Sequence, residues 1–245
     1  MEIDIESLER ATLDAVAPTT VESLMGWLVP FDSTTIGRAT SAVPISHDHV
    51  DLASIAEIES QYTLRGYKAQ YRVADVSGLS RIHVALQERG YTAQQPTLTM
   101  VGNVTDWFQN SGNWTVQLSQ RPSDEWKAVY LSDDFDPVDG ANRVRALSRS
   151  TCLMYAHLMD NSGPIAAGTG SFSQGWFGLH GFRTVARMRS KGCARSLIAE
   201  LGRFALSKSI ERCFLQVEDE NASAIQLYAS LGFQTTWRYH YWRKL

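Results

Sequence analysis

The run Arg189-Ser190-Lys191-Gly192-Cys193-Ala194, continued by Arg195, gathers cations, a glycine and small side chains into seven residues. These are the residue types that hold a phosphate. Guanidinium and ammonium groups supply countercharge, and glycine lets an anion approach the backbone. If a helix begins here, its first N–H groups have no partner within the helix and carry partial positive charge, so a pyrophosphate placed there satisfies them directly. Arg187, just upstream, adds countercharge. The spacing Gln/Arg-x-x-Gly-x-Gly/Ala arises by chance in roughly one chain in four of this length, from average residue usage, so the flanks must decide its meaning. A basic loop capping an ordinary helix is the plain alternative.

Both flanks have the form an anion cradle needs. Upstream, Trp176, Gly178, His180, Phe182 and Thr184 alternate with Phe177, Leu179, Gly181 and Arg183, the two faces of a strand. Downstream, Ala194, Leu197, Ile198, Leu201 and Ala205 recur at helical spacing, with Arg195, Glu200, Arg203 and Ser207 opposite. A strand therefore runs into a helix through a short basic turn. Further on, Phe214 to Glu218 reads as a short strand. Asn221 then N-caps a helix over 222–231, closed by Gly232 and followed by Phe233.

The ordered set of strand, Arg-x-x-Gly-x-Ala, helix, strand, Asn221, then Ala224-x-x-Leu227-Tyr228-x-x-x-Gly232-Phe233 resembles the GCN5-related N-acetyltransferase (GNAT) superfamily. The closing Tyr239-His240-Tyr241 resembles the last strand of many bacterial members, and the likeness covers about the last half of the chain. It implies an α/β (α+β) fold with a mixed, mainly antiparallel sheet flanked by helices. It also implies an acetyl-CoA-dependent acyltransferase with no cysteine intermediate and no metal.

By the same resemblance, the run 189–195 holds the pyrophosphate of acetyl-CoA, and Asn221 bonds the pantetheine arm, against a plain reading as an N-cap. Backbone groups of Phe182, Thr184 and Val185 meet the cofactor's amides and the oxyanion. Tyr228 stands near the thioester sulfur as general acid; it is seven residues, two helical turns, after Asn221 and so on roughly the same helix face. The plain alternative is a packed core tyrosine.

Acetyl transfer to an amine needs a neutral nucleophile, and an alkylammonium with a pKa near ~10.4 must first lose a proton. Many members of the superfamily carry an acid on the strand entering the cradle; here that strand has none. His180 is the candidate base on it, titrating near working pH, although a lone strand histidine is more often structural. Glu218, acting through water, is the other candidate. An acceptor arriving already neutral needs neither. Cys193, within the cradle, suits backbone contact with phosphate rather than nucleophilic attack.

The first half carries no second cradle. Helical stripes are expected over 5–15, 50–62 and 79–89, a helix end passing into a strand over 24–31, an extended segment over 37–45, and strands over 67–73 and 98–101. Helix, Gly90-Tyr91 and strand repeat the later order of helix, Gly232-Phe233 and strand. Residues 1–110 are therefore expected to form a degenerate GNAT-like or accessory α/β domain and 111–245 the catalytic domain, with a Gly/Asn/Ser-rich seam near 102–113. Trp27 and Gly37-Arg38-Ala39-x-Ser41 resemble the leading region of some bacterial tandem members. After the seam, a strand is expected over 114–118, helices over 123–131 and 141–147, and a hairpin of 152–159 with 164–171.

Net charge is −3 over 245 residues, with 20% charged and 44% hydrophobic side chains, so neither a disordered chain nor a broad nucleic-acid surface is indicated. Cys152, Cys193 and Cys213 lack C-x-x-C spacing, and His47 and His49 lack a third ligand, so no disulfide framework or metal site is expected. No run approaches a membrane span, and the N-terminus has no secretory pattern; the expected location is the cytoplasm. A phosphate-binding G-x-x-x-x-G-K-[ST] loop is absent. The competing reading is a non-catalytic acyl-CoA sensor or partner-binding module, which Tyr228 argues against. The acceptor amine and oligomeric state are left open.

Overall fold

The computed structural model describes residues 3–48, 50–106 and 113–244. Asp4 accepts the Ser7 N–H at 3.1 Å and so starts helix α1 (Ile5–Val16), whose apolar face turns inward. Strands β1 (Thr20–Leu24) and β2 (Trp27–Phe31) follow as a hairpin. The helix end expected from 24 onward is therefore not present: Met25 and Gly26 both have positive φ, 47° and 82°, the backbone of a two-residue hairpin turn. The segment 37–45 is likewise not uniformly extended. Gly37–Ala39 makes a 3-10 turn before the short β3 (Val43–Pro44). Next come α2 (Ala53–Leu64), β4 (Tyr71–Ala74), α3 (Ser80–Glu88) and a long β5 (Thr92–Asn103). Residues 107–112 of the expected seam lie outside the described residues.

After the seam, β6 (Gln117–Ser119) precedes α4 (Asp124–Tyr130), capped by Ser123, and α5 (Pro137–Arg149), capped by Asp136. The Asp136-Pro137 start lengthens α5 beyond the expected 141–147. The expected hairpin is β7 (Leu153–Asp160) with β8 (Gly163–Ser173). Then come β9 (Trp176–Thr184), α6 (Cys193–Ser207), β10 (Arg212–Glu218), α7 (Ala222–Ser230) and β11 (Gln234–Arg243).

Strands β1–β3 form a small sheet. The main sheet runs β4-β11-β5-β10-β9-β8-β7-β6, antiparallel throughout except for the parallel pair β9·β10. Two strands cross between the halves: β5 lies between β10 and β11, and β11 lies between β4 and β5. Period-2 alternation divides the core between the two faces of this sheet. Trp176, Phe214, Tyr239 and Tyr241 pack with α1, α2 and α3 on one face, while Phe177, Leu179, Leu215 and Val217 pack with α6 on the other. In the first of these cores, Arg72 and Glu9 form a two-pronged ion pair, both side chains about fully enclosed. No helix among the described residues is long and apolar enough to cross a membrane.

Candidate active site

The site lies where β9 and β10 part. They pair only over Phe177–Leu179 and Cys213–Leu215, although β9 continues to Thr184 and β10 to Glu218. Past that point the facing edges are open to a cavity of about 730 Å³, which reaches the start of α6 on one side and Arg38 on the other. A bulge in β9 contributes to the divergence. Thr169 pairs with His180 and Ala167 with Arg183, so Gly168 faces two residues, Gly181 and Phe182. Gly181 adopts φ 65°, and a Cβ there would come within 2.9 Å of the Tyr130 hydroxyl, which donates to the Gly181 carbonyl at 2.6 Å.

The extra residue reverses the alternation. His180 lies on the face of Phe214, whereas Phe182 turns to the α6 core. The expectation that His180, Phe182 and Thr184 share a face is thus corrected; an unseen bulge shifts the phase by one. Val185 donates its N–H to the Ile165 carbonyl at 3.0 Å, so this group is engaged inside the sheet and is not offered to a ligand. Alternation from Val185 turns the N–H of the adjacent Thr184 toward the open edge instead.

Beyond β9 the chain makes a short 3-10 turn, Ala186–Met188, and enters α6 through Ser190 and Gly192, with φ 60° and 80°. Turns of this kind aim successive N–H groups into one concavity, here next to the free N–H groups of the first turn of α6. A Cβ on Gly192 would meet nothing within 4 Å. Arg189, Ser190, Gly192, Cys193, Ala194 and Arg195 all line the cavity.

The basic residues divide. Arg189 is exposed, and among the described residues its side chain donates a hydrogen bond only to the Thr184 carbonyl, at 3.4 Å; Arg195 donates to Ser230 at 2.7 Å. Lys191 lies off the cavity lining, and its carbonyl accepts from the Trp114 indole at 2.9 Å. Arg187 is not available as countercharge: it pairs with Asp160 at 2.6 Å and donates to Ser162, and this guanidinium holds the Asp160 carboxyl well below its usual range. Cys193 is buried and burial pushes its thiol up, opposite to the shift a nucleophile needs.

Tyr228, Asn221 and Glu218 are brought to the same cavity. The Tyr228 ring packs edge-on against Phe233, 6.0 Å between centroids, and its hydroxyl makes no hydrogen bond among the described residues. Burial pushes its pKa up to about 12. Asn221 caps α7, its side-chain oxygen accepting from the Ala224 N–H at 3.2 Å. Glu218 is exposed and accepts from the Gln95 amide at 2.7 Å. His180 is buried; its Nε2 meets the Ser171 hydroxyl at 2.8 Å and its Nδ1 faces the Arg38 guanidinium at 3.4 Å. Because an arginine can only donate, Nδ1 is the acceptor and Nε2 carries the proton. Burial, reinforced by Arg38, lowers the His180 pKa well below its usual value. His47 stacks edge-on to Trp237, and His49 lies outside the described residues.

With the site's geometry described, the chain can be compared with known proteins. The family profile described as "Probable histone acetyltransferase Rv0428c C-terminal" matches residues 3–242. The chain belongs to this family. It is 25% identical over 243 residues to the uncharacterized N-acetyltransferase YobR of Bacillus subtilis (strain 168), spanning 97% of this chain and 98% of that protein. Among solved structures, a GCN5-related N-acetyltransferase from Kribbella flavida superposes with TM-score 0.72 at 13% identity, covering 99% of this chain and 96% of that one. A tandem GNAT protein from the clavulanic acid biosynthesis pathway gives TM-score 0.62 at 9% identity, covering 97% and 94%. These two likenesses are of fold. The chain is an N-acetyltransferase of the GNAT superfamily, with that superfamily's mixed sheet.

In this N-acetyltransferase, two cavity residues, Arg38 and Gln216, were not among those the sequence assigned to the site. Arg38, on the 3-10 turn of the first half, donates to the Gln216 side-chain oxygen at 2.6 Å across 178 positions of chain. Gln216 follows the last paired residue of β10, as His180 does on β9. Only the crossing of the halves brings these three together, and no local spacing encodes it.

Proposed function

We propose that the protein transfers the acetyl group of acetyl-CoA to a primary amine within a single ternary complex. The carrying observation is the open β9–β10 edge running directly into the left-handed turn of α6, with the uncommitted Tyr228 hydroxyl in the same cavity. The pyrophosphate lies on the backbone of 189–195, with Arg189 as its exposed countercharge. The pantetheine arm passes along Phe182 and Thr184, and Asn221 offers its amide group to it while its oxygen caps α7.

The amine nitrogen attacks the thioester carbon, and an N–H at the open edge of β9 stabilises the resulting oxyanion. The C–N bond forms, the C–S bond breaks, and Tyr228 gives its proton to the departing sulfur. With its pKa raised to about 12, Tyr228 is protonated throughout the neutral range and ready to donate. The amine's proton leaves through water to Glu218, which stands at the cavity mouth. His180 is a weak proton acceptor because its cation is opposed by burial and by Arg38; it holds Arg38 and Ser171 in place.

The test is release of free thiol from acetyl-CoA against a panel of small amines, amino acids and peptides. Acceptor-dependent release that falls in Tyr228→Phe supports the reading. Saturable acetyl-CoA binding with no release on any acceptor favours the non-catalytic acyl-CoA-binding module.

A further inference from the structure

Arg38 is a cation without a counterion. Among the described residues no carboxylate lies within ion-pair distance of it, and its only side-chain partners are the Gln216 oxygen and His180 Nδ1, both at Nη1. Its remaining donors, Nε and Nη2, are unengaged. The side chain is only part-exposed, and it lines the cavity, so its open side faces the space where the strands part. The other arginines on this side of the cavity, Arg143 and Arg183, share the single carboxylate of Asp139, which offsets one of their two charges. Glu9, a buried acid of the underlying core, is already held by Arg72.

Its placement is built rather than incidental. Gln216 is fixed from behind, because its amide donates to Thr12 Oγ1 at 2.9 Å and Thr12 in turn bonds the Leu8 carbonyl. This leaves the oxygen of Gln216 for Arg38. His180 is fixed by Ser171 with its lone pair toward the same guanidinium. A guanidinium with free donors and no counterion, partly withdrawn from water, gains by meeting an anion that completes it. The guanidinium fork is matched by a carboxylate, which takes two parallel hydrogen bonds from it.

We infer that the acceptor is an amine that itself carries a carboxylate, an amino-acid-like small molecule, and that Arg38 binds that carboxylate beside the thioester. This rests on the acetyl-transfer reading and names its substrate class. A polyamine, or a lysine within a basic peptide, brings a second cation to a place already holding one. The transfer is as above: the amine nitrogen gains the acetyl carbon, the thiol departs protonated, and the carboxylate takes no part in bond making.

The experiment compares amines matched except for the carboxylate: L-lysine with cadaverine, L-phenylalanine with phenethylamine, and 5-aminovalerate with its methyl ester. O-phosphoethanolamine is added to separate carboxylate from phosphate. Thiol release is measured for the full chain and for Arg38→Met and Arg38→Lys, with acetyl-CoA affinity and thermal unfolding followed for each. The wild type should favour the carboxylate member of at least one pair by on the order of 10²-fold in kcat/KM, the scale of a close charge pair within a site. Arg38→Met should erase that preference through KM, and Arg38→Lys should keep part of it. Calorimetric binding of the same amines to the CoA-loaded protein should show the same ordering without turnover. Equal use of paired amines, preference for cadaverine or the ester, preference for the phosphate, or an undiminished preference in Arg38→Met would each overturn the inference while leaving acetyl transfer standing. Acetyl-CoA binding without release on any amine, or no binding, would instead defeat the acetyl-transfer reading.

Discussion

Replacing Gly192 by alanine separates what the cradle does for the fold from what it does for a ligand. In the free protein the new Cβ meets no atom within 4 Å, so there is no packing clash. The cost is conformational: an L side chain at φ 80° is disfavoured by about 1–2 kcal/mol. For a chain of this size that corresponds to a fall in Tm of roughly 2–8 °C. The open space beside Gly192 is, on this account, where the pyrophosphate sits. A methyl group there displaces it from at least one backbone N–H, and a hydrogen bond to a charged group contributes about 1.5–3 kcal/mol, roughly 10- to 150-fold in Kd. Calorimetry at a temperature well below both unfolding transitions reads this directly. S-acetyl-pantetheine, which has no pyrophosphate, should bind variant and wild type alike. A variant that shows the Tm loss but keeps its acetyl-CoA affinity within about 3-fold would refute the assignment of the turn as the phosphate site.

Further outcomes follow from the same geometry. Tyr228→Phe should lower kcat by about 10²-fold or more, the scale of a lost general acid, with acetyl-CoA affinity and Tm little changed; since burial raises this hydroxyl to about 12, the wild type should show no alkaline loss from it at pH 9–10 in a pH–rate profile. His180 has a folded pKa well below its usual value, so above about pH 6.5 both states are neutral, whereas below it the unfolded chain alone takes up the proton and stability falls. His180→Gln should remove up to about 1.4 kcal/mol per pH unit of that decline between pH 6.5 and 5, read by denaturant titration; an unchanged slope would contradict it. Glu9→Ala should cost about 3–5 kcal/mol by leaving the Arg72 guanidinium unpaired in the core, and a loss under 1 kcal/mol in chemical unfolding would show that the pair is not buried in solution.

Much of the second half was readable because its elements are local and strongly periodic. β9 was expected over 176–184, which is its extent, and α6 begins within one residue of the expected start. Gly192 marks the turn by its residue type alone. The illegible parts share one cause, that pairing partners lie far apart in sequence. Gly181 looks like an ordinary strand glycine, and only the register against β8 shows that it bulges and turns Phe182 away from His180. Arg187 looks like free countercharge until the hairpin turn delivers Asp160 to it. Met25-Gly26 hid a hairpin behind a segment read as a helix end. Arg38 could be seen as part of a resemblance, but its approach to Gln216 follows from the exchange of β5 and β11 between halves, which no local pattern announces.

In the proposed function, the opened edge and the turn before α6 hold acetyl-CoA. Titration calorimetry of the purified chain with acetyl-CoA tests it most directly. Saturable binding at one site per chain is expected, abolished by reversing the charge at Arg189 in a variant that still unfolds cooperatively. Absence of saturable binding, or full affinity retained in the Arg189→Glu variant, would contradict it.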